Sequence, residues 1–198
     1  NVHYQTKDFV IRNHLFFSEN DNVLPYLLGD NEKHLRDLPF IQDAKIIIQP
    51  LEGISDSVDI TILTKDVLSI GGGLNLHDNQ SAGITLKGDN LFGWGDHLQI
   101  QTLYDFNRNT KFGYGFGYTK RNISGTFIDG SVGFLDFDRS FSSEKREERV
   151  SYLRFVKPLI NRYMHWTYGL EMTLHKTRNF YNIDSLYLSN YKYKYHIV

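Results

Sequence analysis

The sequence contains no cysteine and only four prolines, two methionines and two tryptophans among 198 residues. Without cysteine there is no disulfide framework, no thiolate metal site and no thiol nucleophile. No sign of charge dominates: 22 Lys+Arg stand against 23 Asp+Glu, a formal net charge of -1. That balance excludes a nucleic-acid binder driven by bulk charge, and it excludes an acidic tail. Long apolar runs are missing as well, and none approaches the roughly 18 residues of a membrane-spanning helix. The chain opens at Asn1 without the charged and apolar regions of a secretory leader, which leaves open whether one precedes it. What is abundant is aromatic: 13 Tyr and 14 Phe bring the aromatic share to 15%, within a hydrophobic total of 40%. Low hydropathy does not exclude a membrane. Strands of a transmembrane barrel alternate polar and apolar residues and average out as polar.

Two periods divide the chain. From Thr6 to Leu38 the apolar residues fall at helical spacing. Val10 and His14 are a turn apart, as are Ile11 and Leu15, with Thr6 expected as N-cap and Asp8 in the first turn. Ser18–Asn22 reads as a loop. A second helix is expected from Pro25 to Leu38, with Leu24, Leu28, Leu35 and Leu38 on one side and Pro39 as its stop. Ala44–Gln49 and Val58–Thr64, rich in Ile and Val, read as strands joined by a loop at Glu52–Ser57. His3–Gln5 reads as the tail of an earlier strand. The order is strand, helix, helix, strand, strand.

From Val67 onward the period is two. Leu68, Ile70, Leu74 and Leu76 alternate with Ser69, Gly71, Gly73, Asn75 and His77. Leu98, Ile100, Tyr104 and Phe106 oppose Gln99, Gln101 and Asp105. Phe112, Tyr114, Phe116 and Tyr118 oppose Lys111, Gly113, Gly115 and Gly117. In Tyr163–His175, Met164, Trp166, Tyr168, Leu170, Met172 and Leu174 share one face. Near the end Tyr187, Tyr191, Tyr193, Tyr195 and Ile197 oppose Asn190, Lys192, Lys194 and His196. About eight such segments approach the ~9–11 residues of a tilted membrane strand. They are longer than the usual five or six residues of a soluble sandwich strand. One face is aromatic, as interfacial girdles are, and the other is Gly, Ser, Thr, Gln, Asn, Lys and His rather than a second apolar layer. A soluble β-domain with one wet face is the competing reading.

The turn Gly88-Asp89-Asn90-Leu91-Phe92-Gly93-Trp94-Gly95-Asp96 resembles the turn after the second barrel strand of the BamA-like outer-membrane assembly factors. Leu35-Arg36-Asp37-Leu38-Pro39-Phe40-Ile41-Gln42-Asp43-Ala44 is similar to the end of the second helix of a POTRA domain and the start of its next strand. Ser57-Val58-Asp59-Ile60-Thr61-Ile62 is similar to a last POTRA strand. Val10-Ile11-Arg12 and Pro25-Tyr26-Leu27-Leu28 look most like Bacteroidetes-type versions.

The resemblance implies an α+β POTRA domain (β-α-α-β-β) over 1–66 and about half of a 16-stranded antiparallel transmembrane β-barrel over 67–198. The chain is therefore expected to be part of a longer protein. It implies the bacterial outer membrane, with the POTRA domain in the periplasm. The turns at Asp89–Asp96, Arg121–Ser124 and Pro158–Arg162 then face the periplasm. Those at Asp78–Gln80, Asn107–Asn109, Asp138–Glu148 and Thr177–Ser185 face outward. It implies no enzyme, no cofactor and no metal, and insertion of other outer-membrane proteins by strand templating at a lateral seam. The seam residues would be Leu68, Ile70, Gly71, Gly72, Gly73, Leu74 and Leu76, and the family turn would be Asp89, Asn90, Gly93 and Gly95. The glycines equally suit barrel curvature. Implied partners are outer-membrane lipid, unfolded outer-membrane or secreted β-rich clients, and periplasmic accessory lipoproteins through the POTRA domain, without nucleic acid. Ala44–Pro50 and the Asn31–Leu38 helix are the candidate partner surfaces.

The alternatives are a two-partner-type secretion transporter and a small ligand-binding β-barrel. A barrel fused to a lipase would need a Gly-x-Ser-x-Gly elbow, which this sequence lacks. His165 and His175 lie ten residues apart on one strand, roughly 33 Å, too far to share a metal even with Glu171 between them. Asn122-Ile123-Ser124 fits a glycosylation pattern without meaning in this setting, and Lys145–Arg149 reads as a solvated loop edge.

Overall fold

The computed structural model describes residues 5–51, 53, 57–78, 80–141, 143–181 and 192–197. The start of the strand expected at His3–Gln5 lies outside them, as do Tyr187, Asn190 and Tyr191. Two helices and a two-stranded sheet come first: α1 Asp8–Asn13, α2 Pro25–Arg36, β1 Ile41–Pro50 and β2 Val58–Asp66. Lys7, not Thr6, takes the N-cap of α1, and no side chain caps it. The Thr6 hydroxyl is engaged elsewhere, as an acceptor for Asn90. Pro25 sits at the start of α2, where its missing N–H is no loss.

Val10, Ile11, Leu35, Leu38, Phe40, Ile41 and Ala44 form the core of this α/β unit, with Leu15 and Ile62 packed against it. Leu35 and Phe40 are fully buried, each contributing about 1.5–3 kcal/mol. Leu24, expected on the same side, is exposed, because it precedes the helix as its N-cap. Buried Asn31 ties the helices together. Its Oδ1 accepts the Phe16 N–H at 2.8 Å and its Nδ2 donates to the His14 carbonyl at 3.0 Å.

β1 pairs antiparallel with β2. Its outer edge is already occupied in part. Glu32 of α2 accepts the Ile46 N–H at 2.9 Å and Arg36 donates to the Ala44 carbonyl at 3.2 Å.

Among the described residues, those after β2 form one antiparallel meander of eight strands. They are β3 Ile70–Asp78, β4 Ser81–Asp89, β5 His97–Asp105, β6 Phe112–Lys120, β7 Asp129–Arg139, β8 Arg146–Lys157, β9 Tyr168–Arg178 and β10 Lys192–Ile197. Each described strand pairs with its sequence neighbour, and the sheet does not close: β3 and β10 are its two edges. Leu74, Ile84, Ile100, Tyr114, Phe116, Leu170 and Met172 stand exposed on one face. The sheet curls toward the other face. The Tyr181 hydroxyl, after β9, donates to Asp105 at the end of β5 at 2.7 Å, although β6, β7 and β8 lie between them in the sheet. The polar face is therefore concave and the apolar face convex.

Three further details depart from the sequence reading. The alternation at Tyr163 is not yet strand, because Asn161 Oδ1 accepts the N–H groups of Tyr163 and Met164 and holds a turn until β9 begins at Tyr168. Tyr195 points to the concave side, stacked on His175 at 4.3 Å with its hydroxyl donating to Glu148; His196 pairs with Leu174 of the convex face. Third, Lys145–Arg149 is no solvated edge. β8 begins at Arg146, and Glu147 and Glu148 are buried, the latter accepting from Thr177 and contacting His175.

Candidate functional site

The first candidate is the outer edge of β3. Its inner edge pairs with β4 from Ile70 opposite Gly88 to Leu76 opposite Ala82. No strand pairs with its outer edge among the described residues. Ile70, Leu74 and Leu76 are exposed, and Gly71, Gly72 and Gly73 sit between them. Leu68 is not part of the strand. The Val67 N–H turns back to the Phe40 carbonyl at 3.0 Å, so 67–69 is a linker between the α/β unit and the sheet. Lys87 and Leu86 of β4 lie over Gly71 and Gly72, while nothing lies within 4 Å of where a Gly73 Cβ would be. This strand therefore presents a backbone ladder with little side chain to shield it.

The second candidate is the joint between the sheet and the α/β unit, and here the Asp89–Asp96 turn acquires a structural role. Asn90 adopts the left-handed conformation (φ 66°), which asparagine tolerates. Its Oδ1 accepts the Gly95 N–H at 2.8 Å and closes the loop, while its Nδ2 donates to Thr6 Oγ1 at 2.7 Å. The Gly93 carbonyl accepts the Lys7 N–H at 3.0 Å. Gly93 has φ +77°, and a Cβ there would collide with the Gln5 carbonyl oxygen. Gly95 lies under Phe40 and Val10, 3.0 Å from each to a built Cβ. Asp89 is held by Arg121 at 2.5 Å and by His97 at 3.0 Å. Glycine, asparagine and the small turn are required because the backbone itself touches the α/β core.

A second copy of this turn was not legible as a site. Asn122 (φ 44°) opens a one-turn 3-10 helix at Ile123–Gly125, as Asn90 opens one at Leu91–Gly93. Asn122 Oδ1 accepts the Phe127 N–H at 2.8 Å, and its Nδ2 donates to the Asn13 carbonyl at 2.6 Å. The available signal was the shared spacing of Asn and Gly, Asn90 to Gly93 and Asn122 to Gly125. The third turn on this side meets the α/β unit through Arg162, which is bidentate to Asp30 at 2.9 and 3.0 Å. That pairing draws the Asp30 carboxyl below its ordinary range. The three turns assigned above to the side of the N-terminal unit thus all lie against it.

His34 stacks on Phe16 at 5.1 Å, meets Phe127 edge-on, and lies 3.1 Å from His14 between ring nitrogens. Burial pushes His14 down to about 3 and His34 to about 4, so both are neutral at physiological pH.

At the far end of the sheet, Arg108 is 1% exposed. It donates to the Asp136 carboxylate and carbonyl and lies over the Phe180 ring at 4.4 Å. Arg149 also pairs with Asp136. Among the described residues no group of three His, Asp or Glu could hold a metal, and no helix is long and apolar enough to cross a membrane.

Comparison with known proteins identifies what this arrangement is similar to. No family model matches the sequence. The chain is 23% identical over 158 residues to the outer membrane protein assembly factor BamA of Neorickettsia risticii (strain Illinois), covering 75% of this chain and 21% of that protein. The crystal structure of BamA from Haemophilus ducreyi lacking POTRA domains 1–3 superposes with a TM-score of 0.57 at 15% identity. It covers 98% of this chain and 40% of that one. The chain is similar in sequence to part of the Neorickettsia protein, and it shares the fold of a BamA barrel portion. It spans about a fifth of the curated relative's length.

Proposed function

We propose that the chain is a POTRA domain followed by the opening strands of an outer-membrane barrel that inserts other outer-membrane proteins. β3 is the templating strand. The N–H and C=O groups of its free edge pair with a strand of the incoming client by β-augmentation. In lipid this pairing is strongly favoured, because an unpaired backbone group costs several kcal/mol there. Gly71–Gly73 keep the edge weak enough to open, since glycine adds no packing and loses the most entropy on ordering. No cofactor or nucleotide enters, and no bond is made or broken. The α/β unit lies in the periplasm, where it is available to accessory lipoproteins. The resemblance around Val10-Ile11-Arg12 and Pro25-Tyr26-Leu27-Leu28 supports a Bacteroidetes-type source.

The outer edge of β3, with which no strand pairs among the described residues, carries this reading. Its support is the sequence similarity to BamA and the docking of the α/β unit on alternate turns of the meander. The test is a reversible lock. Gly72→Cys is oxidised to a cysteine placed opposite it on the strand that closes the full-length barrel, and folding of a client barrel into vesicles is followed. Assembly should stop on oxidation and return on reduction; full assembly with the seam locked overturns the proposal.

A further inference from the structure

The α/β unit carries an apolar surface that its own core does not use. Leu24 and Tyr26, at the start of α2, are 40% and 50% exposed. They are not isolated. The Tyr26 ring lies 5.7 Å from that of Tyr163 in the β8–β9 turn, and in that turn Leu159 and Trp166 are also exposed, Trp166 at 79%. Arg162 fixes the arrangement, bidentate to Asp30 of α2 and 5.6 Å over the Tyr163 ring. The turn leads directly into Tyr168 and Leu170 on the convex face. The exposed start of α2 is thus continuous with the end of the sheet's apolar surface.

We propose that residues 23–26 rest in the headgroup layer of the membrane beside Trp166, so that the partner of this surface is a phospholipid bilayer. The proposal rests on the reading of the sheet as membrane-embedded. Its chemistry is that of an interfacial girdle, in which tyrosine and tryptophan present an apolar body and a polar tip at the level of the headgroups. A client strand fits less well, because strand addition needs an open backbone edge. The β1 edge beside α2 is engaged by Glu32 and Arg36 at Ile46 and Ala44. Lipid contact would fix the tilt of the α/β unit relative to the membrane as well as to the turns.

The sequence has no cysteine to compete with a label. Tyr26→Cys, Leu63→Cys and Leu174→Cys are each labelled with an environment-sensitive fluorophore in the protein reconstituted into phosphatidylcholine vesicles. Quenching by headgroup spin-labelled lipid and by aqueous iodide is then compared. Position 26 should be quenched several-fold more by the lipid than position 63, which is exposed on β2. If position 26 matches position 63 in both quenchers, or is shielded from both as under a protein partner, the proposal is overturned. Position 174, on the convex face, separates the two readings. If acyl-chain spin labels fail to quench it, the membrane reading of the sheet fails instead.

Discussion

Asn90 and Asn122 hold opposite ends of the same short helix. Each closes its own turn with the amide oxygen. Each then reaches out of the sheet with the amide nitrogen, Asn90 to Thr6 before α1 and Asn122 to the carbonyl of Asn13 at its end. A six-residue helix has little stability of its own, so these contacts supply part of its order.

The two roles of Asn90 are separable. Asn90→Ala should leave the buried Gly95 N–H unpaired and destabilise the joint by about 1–3 kcal/mol. Asn90→Asp keeps an acceptor for Gly95 and loses the donor to Thr6. Hydrogen exchange should therefore accelerate at Gly95 in the alanine variant alone, while the joint loosens in both.

Gly93 and Gly73 should respond oppositely to the same methyl group. Gly93→Ala forces a Cβ against the Gln5 carbonyl at a positive φ, with a strain of about 1–3 kcal/mol or more. Gly73→Ala meets open space and gains the roughly 0.5–1 kcal/mol that alanine has over glycine in a strand. Denaturant midpoints of the two variants should move in opposite directions. Client assembly should slow in Gly73→Ala, because its edge strand opens less readily.

Acid should loosen the α/β unit before its carboxylates titrate. His14 and His34 are held far below the ordinary histidine value of 6.5, at about 3 and about 4. The unfolded chain takes up protons near 6.5 that the folded chain refuses. Stability is therefore full above pH 6.5 and falls as the pH drops toward 4, by up to about 1.4 kcal/mol per pH unit for each histidine. His34→Gln should flatten the slope of stability between pH 6.5 and 4, measured by denaturant unfolding.

Arg108→Met should spare the joint and disturb the opposite end. It removes the strut to Asp136 and the ring contact with Phe180, a loss of about 1.5–3 kcal/mol because Arg149 still pairs with the Asp136 carboxylate. The Asn109 N–H, which donates to the Phe180 carbonyl at 2.8 Å, reports it by faster exchange.

The sequence revealed whatever depends on period and composition. The strands with clean alternation, around Leu98–Tyr104 and Phe112–Tyr118, lie where the pattern placed them, with their apolar residues on one face as expected. It failed where side chains answer to distant partners. Tyr195 breaks the facing rule because Glu148 and His175 offer it a hydroxyl acceptor and a ring to stack on. Glu147 and Glu148 resemble a solvated run, yet they are buried because the chain after β9 folds over them. Of the candidate sites, the Asn90 turn was legible as a turn but not as a clamp. Nothing local in Asn122-Ile123-Ser124 announces that Asn13 waits for it.

The linker 67–69 sets the mechanics of the molecule. Three residues span at most about 10 Å, and both ends are tied: the Val67 N–H to Phe40 of the α/β core, the Ser69 carbonyl to the N–H of Asp89. There is no slack between the rigid body and the strand. A tilt of the α/β unit about the three turns beneath it would therefore pull on Ile70, at one of the two edges of the sheet.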